Sequence, residues 1–291
     1  MPRRSKSSLG ERYPLDRSPF AQNPTQRDVA ALVRETKDDL NLLATPRFKE
    51  QFLVRRTIEK NEKTRDLVYP EGRLRAVHER LKFHLSKIIQ PSYLMSPRQG
   101  RSQRDNAEAH LAAAQFFTLD LKQFYPSTTR QMIRNSLMAQ FKMQSDVAGL
   151  IAHIATADDR ACFGSPLTPV LATLVHRPMF NQIADRCVED DLSYTVWVDD
   201  LTVSGSRITG NFRADVRGIV AQSGLKSHKL KCYTGNKPVF ITGVGVVGSN
   251  LIVPRRIEAR SSELWTAFKQ AQTFDEKDDC STRLLSHLGG I

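Results

Sequence analysis

Apolar residues recur at helical spacing along much of the first half of this chain. Val29, Leu32, Val33, Leu40 and Leu43 form one stripe, opened by Thr25 as a cap with Asp28 three residues on, and ended by Pro46. Phe52-Leu53-Val54 and Leu67-Val68-Tyr69 read as strand pieces around a charged turn at Lys60 to Thr64. Leu74, Val77, Leu81, Leu85 and Ile88 predict a helix. Residues 91–105 are polar with Pro and Gly, a loop, and 106–114 read as a helix leading into a buried strand from Phe116 to Leu119. Residues 127–158 read as helical, with Met132, Ile133, Leu137, Val147, Leu150 and Ile151 apolar. A Gly-Ser-Pro loop at 164–166 precedes a helix from about Pro169 to Cys187. A strand-turn-strand unit follows over about 193–204, then a helix over about 209–223 that Gly224 stops. Val239 to Val247 reads as a strand and Ile257 to Gln272 as a helix. No internal repeat is present. The pattern is mixed α/β (α+β) with an antiparallel centre and helices on one face.

The strand-turn-strand unit carries the first chemistry. In Tyr194-Thr195-Val196-Trp197-Val198-Asp199-Asp200-Leu201-Thr202-Val203, two aspartates sit between two β-branched runs. Adjacent strand positions face opposite ways, so two ordinary buried positions would not both be acidic. Carboxylates forced together repel unless a cation lies between them. A solvated Asp-Asp turn is the plain alternative. A second acidic motif lies 79 residues upstream, where Asp120 ends the Phe116 strand in Phe116-Phe117-Thr118-Leu119-Asp120-Leu121-Lys122-Gln123-Phe124-Tyr125-Pro126-Ser127. Asp120 alone suits a helix cap. The two motifs together, in this order, suit a cage of Asp120, Asp199 and Asp200 around two Mg2+ ions about 4 Å apart, the arrangement that assists in-line attack on phosphorus.

Charge sharpens this. The 291 residues carry a net +12, distributed unevenly. Residues 46–104 hold 15 Lys/Arg against 6 Asp/Glu, residues 205–237 hold seven against one, and 254–291 are balanced at six each. Basic segments thus flank the acidic motifs, as expected where a phosphate backbone runs past a metal site. Hydrophobic content of 40% supports a core, and no stretch of 18 apolar residues predicts a membrane span. The N-terminus lacks the apolar segment of a secretion signal. Cys162, Cys187, Cys232 and Cys280 are too scattered for a zinc pattern or a disulfide framework. A reducing, cytoplasmic setting is expected.

At these motifs the chain resembles a known family. Asp120 to Ser127 is similar to the D-[IL]-K-x-F-[FY]-P-S motif of bacterial reverse transcriptases, and Trp197 to Asp200 to their Y-A-D-D box. Asn106-Ala107-Glu108-Ala109-His110 matches N-A-x-x-H, and Ile241-Thr242-Gly243 matches V-T-G with Ile for Val. That pair is the signature of the retron reverse transcriptases. The resemblance runs from about Arg65 to Arg256, roughly two thirds of the chain.

The resemblance implies a right-hand polymerase fold with fingers, palm and short thumb. It implies that Asp120 and Asp199 bridge both metals while Asp200 supports one, and that Leu121 lends a backbone carbonyl. Tyr125 takes the place of an aromatic gate whose ring fills the space of a 2′-hydroxyl, so that deoxynucleotides are preferred; core packing is its plain alternative. Lys63 and Arg65 resemble the basic residues of a fingers strand that hold the triphosphate. Cys162-Phe163-Gly164-Ser165-Pro166-Leu167-Thr168-Pro169 stands where the family has P-Q-G-x-P-T-S-P. Gly164 lets backbone approach the nucleotide, whereas Phe163 replaces the Gln and Thr173 a later Asn, which removes a polar contact. Lys231 aligns with a lysine suited to protonating the leaving pyrophosphate, and Asn106, His110, Arg255 and Arg256 occupy positions expected near RNA.

The implied partners are a dedicated structured non-coding RNA and its DNA product, deoxynucleoside triphosphates and an accessory effector protein, with no membrane. The implied reaction primes from an internal 2′-hydroxyl and gives a branched RNA–DNA molecule, msDNA, in the service of antiphage defence. The expected organisation is a mobile basic N-terminus over 1–24, an N-terminal helix and fingers over 25–115, a palm over 116–250 with fingers-side helices within 127–165, and a short thumb over 251–291. Two rivals stand beside this reading. One is a group II intron-like or abortive-infection reverse transcriptase. The other is a polymerase-fold RNA-binding scaffold that has lost catalysis, which Phe163 favours and three retained aspartates oppose.

Overall fold

A computed structural model describes residues 10–60, 63–234 and 237–288, without the side chains of residues 60, 63–65, 287 and 288. The described residues divide into two compact units, one drawn from 10–92, 121–183 and 218–227, the other from 93–120, 184–217 and 228–288.

The first unit is mainly helical. The stripe expected from Val29 to Leu43 breaks into Gln26–Val33 and Lys37–Ala44, because Arg34 turns left-handed (φ 64°) and Thr36 caps a new start at Asp39 N. Pro46 opens the short helix Pro46–Lys49 instead of ending one; a proline at the first turn loses no hydrogen bond. Residues 10–24 are pinned, not free. Tyr13 N donates to Lys87 O (3.1 Å), Ile89 N donates to Tyr13 O (2.9 Å), and Phe20 is buried. The rest of the expected mobile arm, residues 1–9, lies outside the described residues. Leu53–Lys60 pairs antiparallel with Lys63–Pro70, from Leu53↔Pro70 to Lys60↔Lys63. The long helix expected over 127–158 is two, Arg130–Phe141 and Ser145–Ala155, separated by a left-handed Lys142 (φ 56°). Another is broken at His176 into Thr168–Val175 and Arg177–Glu189. Pro178 explains that break, since it cannot donate to Leu174 O and its ring would clash there. One apolar core runs from Phe20 through Leu40, Leu43, Leu74, Leu81, Ile133, Phe141, Ile151 and Leu171. Truncating a fully buried member such as Leu40 to Ala costs about 2–5 kcal/mol.

The second unit is built on a five-stranded sheet with spatial order Leu94–Ser96, Ser193–Trp197, Asp200–Gly205, Gln115–Leu121, Ser227–Thr234. Leu94–Ser96, expected as loop, runs parallel to Ser193–Trp197. Ser227–Thr234 has no apolar alternation to betray it and is a largely exposed, lysine-bearing edge strand. The Asn106 helix spans Gln103–Glu108, opened by a Ser102/Asp105 capping box and ended well short of residue 114. What reads as one strand from Val239 to Val247 is a hairpin, Val239–Ile241 and Val244–Val247, joined by Asn250–Ile252 as a third strand. Its two-residue turn, Thr242-Gly243, has positive φ at both positions (47° and 94°). Arg255–Gln270 and an unexpected second helix, Phe274–Leu288, complete the unit. Among the described residues no helix is long and apolar enough to cross a membrane.

Candidate active site

Strand register brings the acidic motifs together. Gln115–Leu121 pairs antiparallel with Asp200–Gly205, setting Asp120 opposite Asp200. Ser193–Trp197 pairs with the other edge of Asp200–Gly205, setting Trp197 opposite Asp200. Only Val198 and Asp199 connect those two strands, so Asp199 sits in the turn beside the Asp120–Asp200 pair. Thr195, Val196, Leu201, Thr202 and Val203 are buried and hold the register: a one-residue slip would turn each of them to the wrong face. Val198 takes φ 60°, a strained conformation for a β-branched residue, and its N–H is held by Ser96 O at 3.0 Å.

The carboxylates feel one another. Burial, then the neighbouring Asp120, raises the Asp199 pKa. Burial, then Asp199 and Asp120, pushes Asp200 up to about 6. Asp199 and Asp200 therefore each resist ionisation. Asp120 has partners of its own: Lys229 Nζ donates to its Oδ2 at 2.7 Å, and His228 Nδ1 lies 3.2 Å from its Oδ1. The bond to Asp120 raises the Lys229 pKa. Among the described residues no three His, Cys, Asp or Glu side chains converge tightly enough to grip an ion as they stand. The donor set nevertheless suits a divalent cation: two carboxylates on paired strands and a third in the adjoining turn, with one already bound to a positive charge.

Asn106 and His110 do not share a helical face, because the helix ends at Glu108. Both are 1% exposed, so neither presents a side chain to RNA. His110 places Nδ1 2.7 Å from Ser204 Oγ and Nε2 2.7 Å from Thr195 Oγ1. It thereby ties together the two strands that carry Asp200 and the Asp199 turn. Burial lowers its pKa to about 4, so it is neutral. Asn106 Nδ2 donates to Thr242 Oγ1 at 3.1 Å, which fastens the Thr242-Gly243 turn to the Gln103–Glu108 helix. The N-A-x-x-H and T-G strings are therefore braces within one unit.

Lys231 is exposed on Ser227–Thr234, but Lys229 is the lysine that meets the carboxylates. A left-handed φ of 51° at Lys229 breaks the strand's regularity there. Sequence reading missed both Lys229 and His228, and only the basic run 226–231 hinted at them. Arg255 and Arg256 are exposed in the first turn of Arg255–Gln270. The backbones of Lys63 and Arg65 lie in the strand Lys63–Pro70; their side chains are outside the described residues.

The remaining expected residues belong to the first unit. Leu121 is fully buried. The rings of Tyr125 and Phe163 lie 6.1 Å apart at 43°. Phe163 O accepts from Val68 N (3.1 Å), tying the 162–166 loop to the Lys63–Pro70 strand. Gly164 has φ 111°, and a Cβ there would meet Tyr69 Cβ at 3.2 Å, so both conformation and space require glycine. His78 Nδ1, 2.6 Å from Ser165 Oγ, supports the same loop from a fully buried position that nothing in the sequence announces.

Three relatives show what this chain is similar to. It is 24% identical to the Retron Se72 reverse transcriptase of Salmonella heidelberg over 149 residues, 51% of this chain and 39% of that protein. It is 25% identical to the Retron Mx65 reverse transcriptase of Myxococcus xanthus over 230 residues, 71% of this chain and 54% of that protein. It is 22% identical to the Retron Ec83 reverse transcriptase of Escherichia coli over 299 residues, 91% of this chain and 88% of that protein. The chain thus spans about two fifths of the length of the first and about half of the second. Among solved structures it is similar to apo telomerase from Candida tropicalis truncated from its C-terminal domain, with a TM-score of 0.51 at 12% identity over 76% of this chain and 61% of that one. Telomerase from Candida albicans in complex with a TWJ fragment of telomeric RNA gives a TM-score of 0.50 at 12% identity, over 74% and 50%. No protein-family model matches the chain. The structural likeness speaks for the fold alone.

Proposed function

We propose that this chain, which resembles the retron-type reverse transcriptases and has a right-hand polymerase fold, copies a dedicated structured RNA into DNA. One observation carries the reading: two acidic motifs 79 residues apart are set side by side by strand register, Asp120 opposite Asp200 with Asp199 in the adjoining turn. Asp120, Asp199 and Asp200 would hold two Mg2+ ions, which when bound lower the pKa of an attacking hydroxyl and neutralise charge on leaving pyrophosphate. The chain's own residues do the rest. Tyr125 excludes a 2′-hydroxyl beside the incoming sugar. Lys63 and Arg65 bind the triphosphate, Gly164 admits it close to backbone, and the carbonyl of Leu121 completes the ligand set. Lys231 donates a proton to the departing pyrophosphate. Arg255 and Arg256 contact RNA phosphates, while Asn106 and His110 act behind the surface, His110 holding the two strands that flank the Asp199 turn and Asn106 holding the Thr242-Gly243 turn. Residues 25–115 serve as fingers, 116–250 as palm and 251–291 as thumb. Synthesis starts from a 2′-hydroxyl within the RNA and yields a branched RNA–DNA, msDNA, which acts with an effector protein in cytoplasmic antiphage defence.

The test is DNA synthesis by protein purified with its native RNA. Asp199→Asn and Asp120→Asn should each abolish Mg2+-dependent incorporation of deoxynucleotides while the protein stays folded. Undiminished synthesis by either variant would remove the site. An inactive wild-type protein that retains its RNA would instead favour the scaffold reading.

A further inference from the structure

Asp120 already has a cation, and that cation belongs to the protein. Lys229 Nζ sits 2.7 Å from Asp120 Oδ2, while His228 Nδ1 lies 3.2 Å from both Asp120 Oδ1 and the Asp120 backbone oxygen. The two side chains reach Asp120 from the edge strand Ser227–Thr234, which lies beside the Asp120 strand in the sheet. The backbone bends to allow this, with Lys229 in the left-handed region at φ 51°. The Lys229 side chain is more than half exposed, so its packing does not confine it, whereas the Asp120 side chain is only 16% exposed.

We propose that Lys229 is an internal counter-cation for the acidic cluster, holding Asp120 until a divalent ion displaces it. The inference rests on the metal role assigned above to the three aspartates. A carboxylate oxygen that accepts from an ammonium is not free to bind a metal, so ion loading and the Lys229–Asp120 bond compete. The exposed stem of Lys229 lets its ammonium swing into water when the exchange occurs. The ammonium also keeps three acidic groups from facing one another without a positive charge while no metal is bound. Lys229 is thus a positioning residue that sets how readily the site loads.

Binding of Mn2+ alone, read by electron paramagnetic resonance on protein free of nucleic acid and nucleotide, tests this. Lys229→Met should tighten Mn2+ binding about fivefold, the size of a partly exposed ion pair. Lys231→Met removes the same charge two residues away without touching Asp120, and should tighten binding by less than twofold. In an Asp120→Asn background, Lys229→Met should change little, because the competing bond is already gone. Equal tightening by the two lysine variants would reduce the effect to general charge and overturn the proposal. Unchanged binding in Lys229→Met, with Mn2+ still bound, would overturn it while leaving the metal site intact. Failure of all forms to bind Mn2+ would overturn both.

Discussion

Asp200 shows how much a single position depends on its neighbours. Its carboxyl is pushed up to about 6, first by burial and then by Asp199 and Asp120. The sign follows from linkage. Its folded pKa lies above its unfolded value near 4, so the folded state holds the proton more tightly. Ionisation is therefore a penalty that grows as pH rises through 4 to 6 and is complete above. Asp200→Asn should remove it and raise the stability of metal-free protein at pH 7. The residue is exposed enough for water to screen the repulsion, so about 1 kcal/mol is expected. Urea denaturation in a chelator measures the gain, and a loss of stability would mean that the carboxylates do not repel. Tyr125 carries a second prediction at this scale. Its ring faces Phe163 at 6.1 Å, an aromatic pair where the family has aromatic and Gln. Tyr125→Ala should raise ribonucleotide incorporation about tenfold or more relative to deoxynucleotides. Discrimination that stays the same would return Tyr125 to the core.

At the scale of elements, the hairpin bearing Asp199 and Asp200 is held from behind. His110 links Ser204 on one strand to Thr195 on its neighbour, and all three side chains are buried. His110→Ala leaves two hydroxyls without partners and a void beneath the sheet. A loss of about 2–4 kcal/mol is expected. The same histidine contributes acid sensitivity. Burial lowers its folded pKa to about 4, below the unfolded value near 6.5, so the unfolded state takes up the proton first. Stability is fully present above about pH 6.5 and is lost as pH falls towards 4. Thermal melts across this range should show wild type losing stability more steeply than His110→Ala. Parallel slopes would show that His110 is not buried as a neutral group.

At the scale of the whole molecule, charge separates affinity from specificity. The basic surplus lies in segments 46–104 and 205–237, and the acidic cluster lies elsewhere in the sequence. RNA binding should therefore weaken steeply with salt, by a slope of about 0.7–0.9 for each phosphate neutralised. Recognition of shape, loops and ends should survive where bulk electrostatics fade. At moderate salt the native RNA should resist competition from an unrelated hairpin of equal length. Equal competition would leave a generic reverse transcriptase in place of one dedicated to its own RNA.

Local pattern was enough for the parts whose cause is local. The Asp-Asp turn lies between two β-branched runs, Asp120 at the end of an apolar strand, and Gly224 after a helix, each recorded in a few adjacent residues. The mixed α/β class followed from the same periodicities. Breaks inside periodic stretches were less legible. The left-handed turns at Arg34 and Lys142 and the interruption before Pro178 leave the apolar period nearly intact, so each pair of helices read as one. Ser227–Thr234 was invisible because an exposed edge strand need not alternate: the hydrogen bonds of its neighbour, not buried side chains, make it a strand. Only the folded sheet could decide what depends on register and burial. It set Asp120 opposite Asp200, brought Lys229 rather than Lys231 to the carboxylates, and turned Asn106 and His110 inward. These contacts join residues from 80 to 136 positions apart, and short-range periodicity carries no information about such distant partners.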